Sequence, residues 1–232
     1  MKKVAVFASG SGSNAENLIR FFSNSPNIRV MAVYSNNPNA YVLERIKPLG
    51  VPGHIIGKTD MSDGSLLKSL QSAGVDIVVL AGYLKLVPSS FIQGFPGPII
   101  NLHPSLLPAY GGKGMHGQHV HEAVIAANEP KSGITIHHVN EQYDQGDIIQ
   151  QFTTELEPGE TAPHRAPTRI DDFRVRQDQV DQADVAEVVR HLVDEERRAG
   201  LALDAGVFEV LLAELAQAGR VERGQHVVVG QG

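Results

Sequence analysis

In "PIINLHPSLLPAY", residues 98–110, an amide and an imidazole stand two positions apart at Asn101 and His103, inside a stretch punctuated by Pro98, Pro104 and Pro108. Positions i and i+2 of an extended segment share a face, so both side chains could address one reactant. An amide donor and an imidazolium together could stabilise an oxyanion, and the imidazole could hand a proton to a leaving group. The prolines remove backbone donors and restrict their neighbours, which fixes how the chain leaves the strand. Ser105 has no base and orienter in nucleophile register and reads as a loop hydrogen-bonder. A carboxylate able to orient or charge the histidine is Asp144, in a loop after the strand of "HHVNEQYDQGDII". The plainer alternative makes Asn101 and His103 satisfied turn residues and Asp144 a turn former before Gly146.

A second candidate lies near the start. "VAVFASGSGSN" runs from a strand into Gly10-Ser11-Gly12-Ser13-Asn14, and the helical pattern "AENLIRFF" follows. Small residues let the backbone approach a ligand, and a helix N-terminus offers unpaired N–H groups to an anion such as a phosphate. The alternative is a turn capped by Ser13 or Asn14. Gly10, Gly12 and Ala15 satisfy a permissive dinucleotide fingerprint, but the second strand ends in Tyr34-Ser35-Asn36-Asn37, without a carboxylate for a ribose diol. His116, His119 and His121 do not converge on a metal, because i and i+5 leave the shared helix face and no carboxylate is read in register. His137 and His138 alternate along a strand and read as packing and hydrogen-bonding residues.

The elements that must position these residues are short and alternating. "KKVAVFA", "IRVMAVYS", "VDIVVLAG", "GPIINLHP", "GITIHHV" and "DIIQQFTTEL" read as strands, and residues 14–22, 40–49, 65–73 and 116–128 carry helical spacing. This predicts an α/β fold, a doubly wound and mostly parallel sheet with helices on both faces. Ligands of such sheets bind beyond the carboxyl ends of the strands, where "SGSGSN", "GYLKLVP" and "NLHPS" fall.

With 232 residues, 42% hydrophobic and a net charge of −6, the chain can bury a large core and has no electrostatic footprint for nucleic acid or membrane. It has no cysteine, so thiol nucleophiles, disulfides and metal–thiolate sites are excluded. The short apolar run after Lys3 does not make a signal peptide, and a cytoplasmic chain is expected. Composition changes near residue 162. Residues 1–162 hold eight Lys and three Arg, while 163–232 hold no Lys, no Asn and nine Arg. The expected organisation is a domain over 1–162, an irregular linker over 163–183, and an appendage of apparently foreign origin over 184–232. In that appendage "DVAEVVRHLVDEERRAG" and "AGVFEVLLAELAQAG" read as helices and "RVERGQHVVV" as a hairpin, like half of a winged helix. Its thirteen acidic and nine basic residues speak against nucleic acid.

Taken in order, "FASGSGSN", "VVLAGYLKLVP", "INLHPSLLPAYGGKGMHG", "GITIHHVNEQYDQGDII" and "LEPGETA" closely resemble the phosphoribosylglycinamide formyltransferase family over residues 1–162. The resemblance implies the formyltransferase fold and transfer of a formyl group from 10-formyltetrahydrofolate, a cosubstrate, to the amine of glycinamide ribonucleotide in purine synthesis, without a metal, by a monomer or homodimer. It assigns Gly12, Ser13 and Asn14 to the ribonucleotide phosphate. Leu84, Lys85, Leu86 and Val87 match the pterin-binding segment, with Gln142, Tyr143, Asn101 and Lys58 as further folate contacts. Asn101 and His103 match the catalytic pair, and Asp144 the carboxylate that favours the charged histidine and assists proton transfer through water. Methionyl-tRNA formyltransferase shares the Asn, His and Asp but resembles "GTP" in its first loop, and formyltetrahydrofolate hydrolase is the other related alternative. After "PGETA" the family continues into a helix that closes the ribonucleotide site, whereas Pro163-His164-Arg165 follow here. A chimeric chain with impaired catalysis, its tail a binding module, is therefore a third reading.

Overall fold

A computed structural model describes residues 1–156. The linker expected over 163–183 and the helices and hairpin expected over 184–232 lie outside the described residues. Within them the chain forms one seven-stranded sheet in the order β3-β2-β1-β4-β5-β6-β7. The strands are β1 (Lys2–Phe7), β2 (Ile28–Ser35), β3 (Gly53–Ile55), β4 (Ile77–Leu80), β5 (Ile99–His103), β6 (Lys131–His138) and β7 (Ile148–Glu155). The first five run parallel, and β6 and β7 turn antiparallel.

The six strands predicted from β-branched runs are all present, within two residues or so at each end. Burial explains their legibility: "VAVF" in β1 and "IVVL" in β4 are covered on both faces, as parallel strands flanked by helices must be. Helices α1 (Ser13–Phe21), α3 (Ser65–Ala73) and α5 (Gln118–Ala126) also fall where the spacing places them. Two differences are local. The helix expected over residues 40–49 is broken into α2 (Val42–Arg45) and a 3-10 turn at Lys47–Leu49, since Pro48 has no N–H to continue the ladder and Gly50 closes the turn at φ 69°. The strand β3 and helix α4 (Ser89–Gly94) escape periodicity because three and six residues are too few to show it.

Phe7, Tyr34, Leu70, Val78, Phe91 and Phe95 belong to the core on one side of the sheet, with the Phe7 and Phe91 rings 6.1 Å apart. Fully burying a phenylalanine contributes about 1.5–3 kcal/mol, so this cluster fixes the sheet that carries the site. Between β1 and β4 the strand order reverses direction, and the loops after these two strands meet there. The Ser9 amide donates to the Gly82 carbonyl at 3.0 Å, and the Leu84 amide donates to the Ser9 hydroxyl at 2.9 Å. The glycine loop and the "GYLKLVP" loop are thus fastened to each other. Among the described residues no helix is long and apolar enough to cross a membrane.

Candidate active site

Asn101 and His103 lie on β5, the strand where the sheet changes from parallel to antiparallel. Across the ladder Asn101 faces His137 and His103 faces Thr135 on β6. The loop from β6 to β7 then returns Asp144 over this pair, with Asp144 itself in the left-handed region at φ 55°. Gly146 lets the return close, because a Cβ there would overlap the His138 carbonyl.

The side chains converge. Asn101 Nδ2 donates to Asp144 Oδ1 at 3.2 Å and lies 3.0 Å from His137 Nε2. His137 Nδ1 is 2.8 Å from the His138 carbonyl, so that nitrogen carries the proton and Nε2 is free to accept from Asn101. Turning the Asn101 amide over would set its oxygen against the Asp144 carboxylate, which decides the orientation. His103 is only 3% exposed; its Nε2 lies 2.9 Å from the Tyr110 carbonyl and its Nδ1 3.4 Å from Asp144 Oδ1. Both ring nitrogens face acceptors, so an imidazolium satisfies both. The second carboxylate oxygen accepts from the Gly112 amide at 2.8 Å.

Burial pushes the Asp144 carboxyl up, but the polar contacts of the His103 and His137 rings, the charge of a protonated His103 and the Gly112 amide outweigh it and hold it well below the usual carboxylate range. A carboxyl lowered on folding stabilises the fold fully above its ordinary value near 3.8, and that contribution is lost as pH falls through the lower folded value. The stability gap between the wild type and Asp144→Asn should therefore shrink progressively below about pH 4, as read by urea unfolding at each pH. A gap that widens on acidification would contradict this placement of the charge.

Behind the pair, Thr135 holds the exit loop. Its buried hydroxyl donates to the Ser105 carbonyl at 2.6 Å and accepts from the Leu107 amide and Gln151 Nε2, both at 2.9 Å. Ser105 is fully buried and donates to the Ala109 carbonyl at 2.7 Å, the loop role expected for it. His137 and Thr135 are the site residues that motif reading missed. The available signal was the T-x-H spacing on β6, the counterpart of N-x-H on an antiparallel neighbour.

The other candidates are placed unevenly. Gly12 is the N-cap of α1 at φ 76°, and no side chain caps that helix, so the turn capped by Ser13 or Asn14 is not formed. The first N–H groups of α1 therefore have no side-chain acceptor at the cap, the condition under which a helix N-terminus can take an anion. Leu84 and Leu86 are exposed by 42% and 45%, an apolar pair beside the loop junction, and Lys85 between them is exposed. Val87 is buried in the core and offers no side chain to a cleft. Gln142 is exposed and Tyr143 half-buried next to Asp144. Lys58 follows β3, the far edge strand, four positions from β5 in the sheet, and is not brought to the Asn101 cluster. His119 Nδ1 is 3.8 Å from Glu122 on the next turn, so a carboxylate does fall in register, but this is an exposed pair. Among the described residues no three His, Asp or Glu are grouped to hold a metal.

A family model described as formyl transferase matches residues 2–175. The chain belongs to the formyl transferase family. The family match continues past residue 162, where the resemblance in motifs stops, so the change in composition does not mark its end. Among curated relatives, phosphoribosylglycinamide formyltransferase of Haemophilus influenzae is 35% identical over 182 residues, covering 75% of this chain and 84% of its own. The chloroplastic phosphoribosylglycinamide formyltransferase of Arabidopsis thaliana is 42% identical over 176 residues, 73% of this chain, and the match spans only 60% of that relative's length. A crystal structure of phosphoribosylglycinamide formyltransferase from Streptococcus pneumoniae superposes with a TM-score of 0.68 at 33% identity, covering 83% of this chain and 99% of that one. The doubly wound sheet is thus the formyl transferase fold, and the Asn101 cluster sits at the carboxyl end of its fifth strand.

Proposed function

We propose that this chain transfers a formyl group from 10-formyltetrahydrofolate to the amine of 5-phosphoribosylglycinamide. The observation that carries the reading is the convergence of Asn101, His103 and Asp144 in one partly buried cluster within a formyl transferase chain. The amine lone pair attacks the formyl carbon, the bond from that carbon to the folate nitrogen breaks, and the proton lost by the amine ends on the folate. The chain contributes position and charge. Asn101 already gives both amide hydrogens, and the 3.2 Å bond to Asp144 is the longer, so an oxyanion entering the site draws that hydrogen. His103 supplies the second donor and the proton, and Asp144 balances its charge and takes part in the transfer through water.

The ribonucleotide phosphate is read at Gly12, Ser13 and Asn14, where the uncapped first turn of α1 supports an anion. Folate is read along Leu84, Lys85, Leu86 and Val87, with the Val87 contact through its backbone, and against Gln142 and Tyr143. Lys58 would meet only an outlying part of the folate. Nothing in this scheme calls on a metal.

The test is the full chain with both substrates, following release of tetrahydrofolate. Turnover is expected in the wild type, and His103→Ala should lower kcat by roughly 10²–10⁴. Because the ring is almost fully buried against two acceptors, the unfolding temperature should fall as well, so kcat is compared at a temperature where circular dichroism shows both chains folded. A folded wild-type chain that leaves glycinamide ribonucleotide unformylated would overturn the reading.

A further inference from the structure

Helix α2 lies against the glycine loop, and three of its contacts have a common consequence. The Val42 amide donates to the Gly10 carbonyl at 3.0 Å, and a Cβ on Gly12 would overlap the Val42 side chain, so loop and helix are in direct contact. One turn on, Arg45 Nε donates to the Ser11 carbonyl at 2.8 Å while its Nη1 pairs with Glu16 at 2.7 Å. The guanidinium also stands 5.1 Å over the Tyr41 ring. Glu16 belongs to the first turn of α1, and its other oxygen pairs with Arg20 at 2.8 Å.

These contacts bear on charge at the end of α1. An anion at the helix N-terminus is favoured by the backbone dipoles. An unpaired carboxylate in the same turn would repel it, and so would a carbonyl oxygen turned into the loop. Arg45 answers both, because its planar fork holds the Ser11 carbonyl on one edge and cancels the Glu16 charge on the other. A lysine, with one point charge, cannot make both contacts at this geometry. The Arg45 and then the Arg20 hydrogen bonds keep the Glu16 carboxyl below its ordinary range, so it stays ionised and needs its partners.

We propose that Arg45 is a positioning residue for the phosphate of the acceptor: it shapes the glycine loop and neutralises Glu16 without itself touching substrate. The proposal rests on the phosphate reading of Gly12, Ser13 and Asn14. Its test is calorimetric binding of glycinamide ribonucleotide and of ribose 5-phosphate to the full chain, together with steady-state kinetics.

Arg45→Ala should weaken both phosphorylated ligands roughly five- to tenfold and raise the KM for the ribonucleotide alike, with kcat and the folate KM within about twofold. Arg45→Lys should recover part of the loss. Adding Glu16→Gln to Arg45→Ala should recover a further part, which a purely structural helix contact would not allow. Equal loss for ribonucleotide and folate, or no loss for either phosphate ligand, would overturn the inference. If the wild type binds ribose 5-phosphate yet transfers no formyl group, the functional reading fails while the binding series still decides the role of Arg45. If the wild type binds neither phosphate ligand, the phosphate reading and the inference both fall.

Discussion

Asp144→Asn should reduce kcat/KM by roughly 10²–10⁴, the range of a proton-transfer contribution, and should also cost about 1–3 kcal/mol of stability. The carboxylate accepts on both oxygens, from Asn101 and the His103 side on one and from the Gly112 amide on the other. An asparagine must turn its NH2 toward one of these donors in either orientation. Its Oδ1 could still satisfy one side, but the other would hold two donors facing each other. A protonated His103, the form that the proposed transfer needs, would also lose its counter-charge in a pocket where it is almost fully buried. Stopped assays with both substrates, alongside urea unfolding at neutral pH, separate the two effects. Activity within a factor of about three of the wild type would remove Asp144 from the mechanism.

Thr135→Val is expected to destabilise the protein by about 2–5 kcal/mol, although it preserves side-chain shape. One hydroxyl serves the Ser105 carbonyl, the Leu107 amide and the Gln151 amide, and all three would be left short of a partner in a buried setting. Gln151 Nε2 keeps a bond to the Leu107 carbonyl at 2.8 Å, which limits the loss on that arm. Because these bonds hold the segment just after His103, activity should fall with stability, whereas Thr135→Ser should retain most of both. Thermal unfolding and turnover of the two variants check it. Near-equal stability of Thr135→Val and the wild type would show that the Thr135 hydroxyl does not hold this loop, leaving that to its prolines and to the Ser105 and Gln151 bonds.

What the sequence made legible follows from the range of the forces involved. Strands β1 and β4 announce themselves because both faces of "VAVF" and "IVVL" are buried and apolar, and β2 because it alternates at its start, with Arg29 exposed, before its buried second half. Asn101 and His103 are legible as a pair since two-residue spacing on a strand is local information. Their link to Asp144 can be guessed from its loop position but not measured, because it depends on a turn at φ 55° closed by Gly146. The strand alternation marks His137 as a hydrogen-bonding residue, and it is one; its partner, however, is set by the β5–β6 register, which no local pattern encodes. Conversely, Ser13 and Asn14 are good capping types that the structure does not use as caps, and Pro48 splits a helix whose apolar spacing continues through it.

The order of the strands carries one further consequence. The glycine loop follows β1 and the Asn101 cluster ends β5, with β4 alone between them. Neighbouring strands lie about 4.8 Å apart, so the two loci are separated by about 10 Å across the sheet. The sheet therefore works as a ruler. A molecule anchored by an anion at one locus presents its nucleophile at the other only if its two ends are about that far apart, and a glycinamide without its phosphoribosyl arm is too short to be measured by it. On the proposed function, selectivity for the acceptor is in this sense a length, written into the backbone before any side chain makes contact.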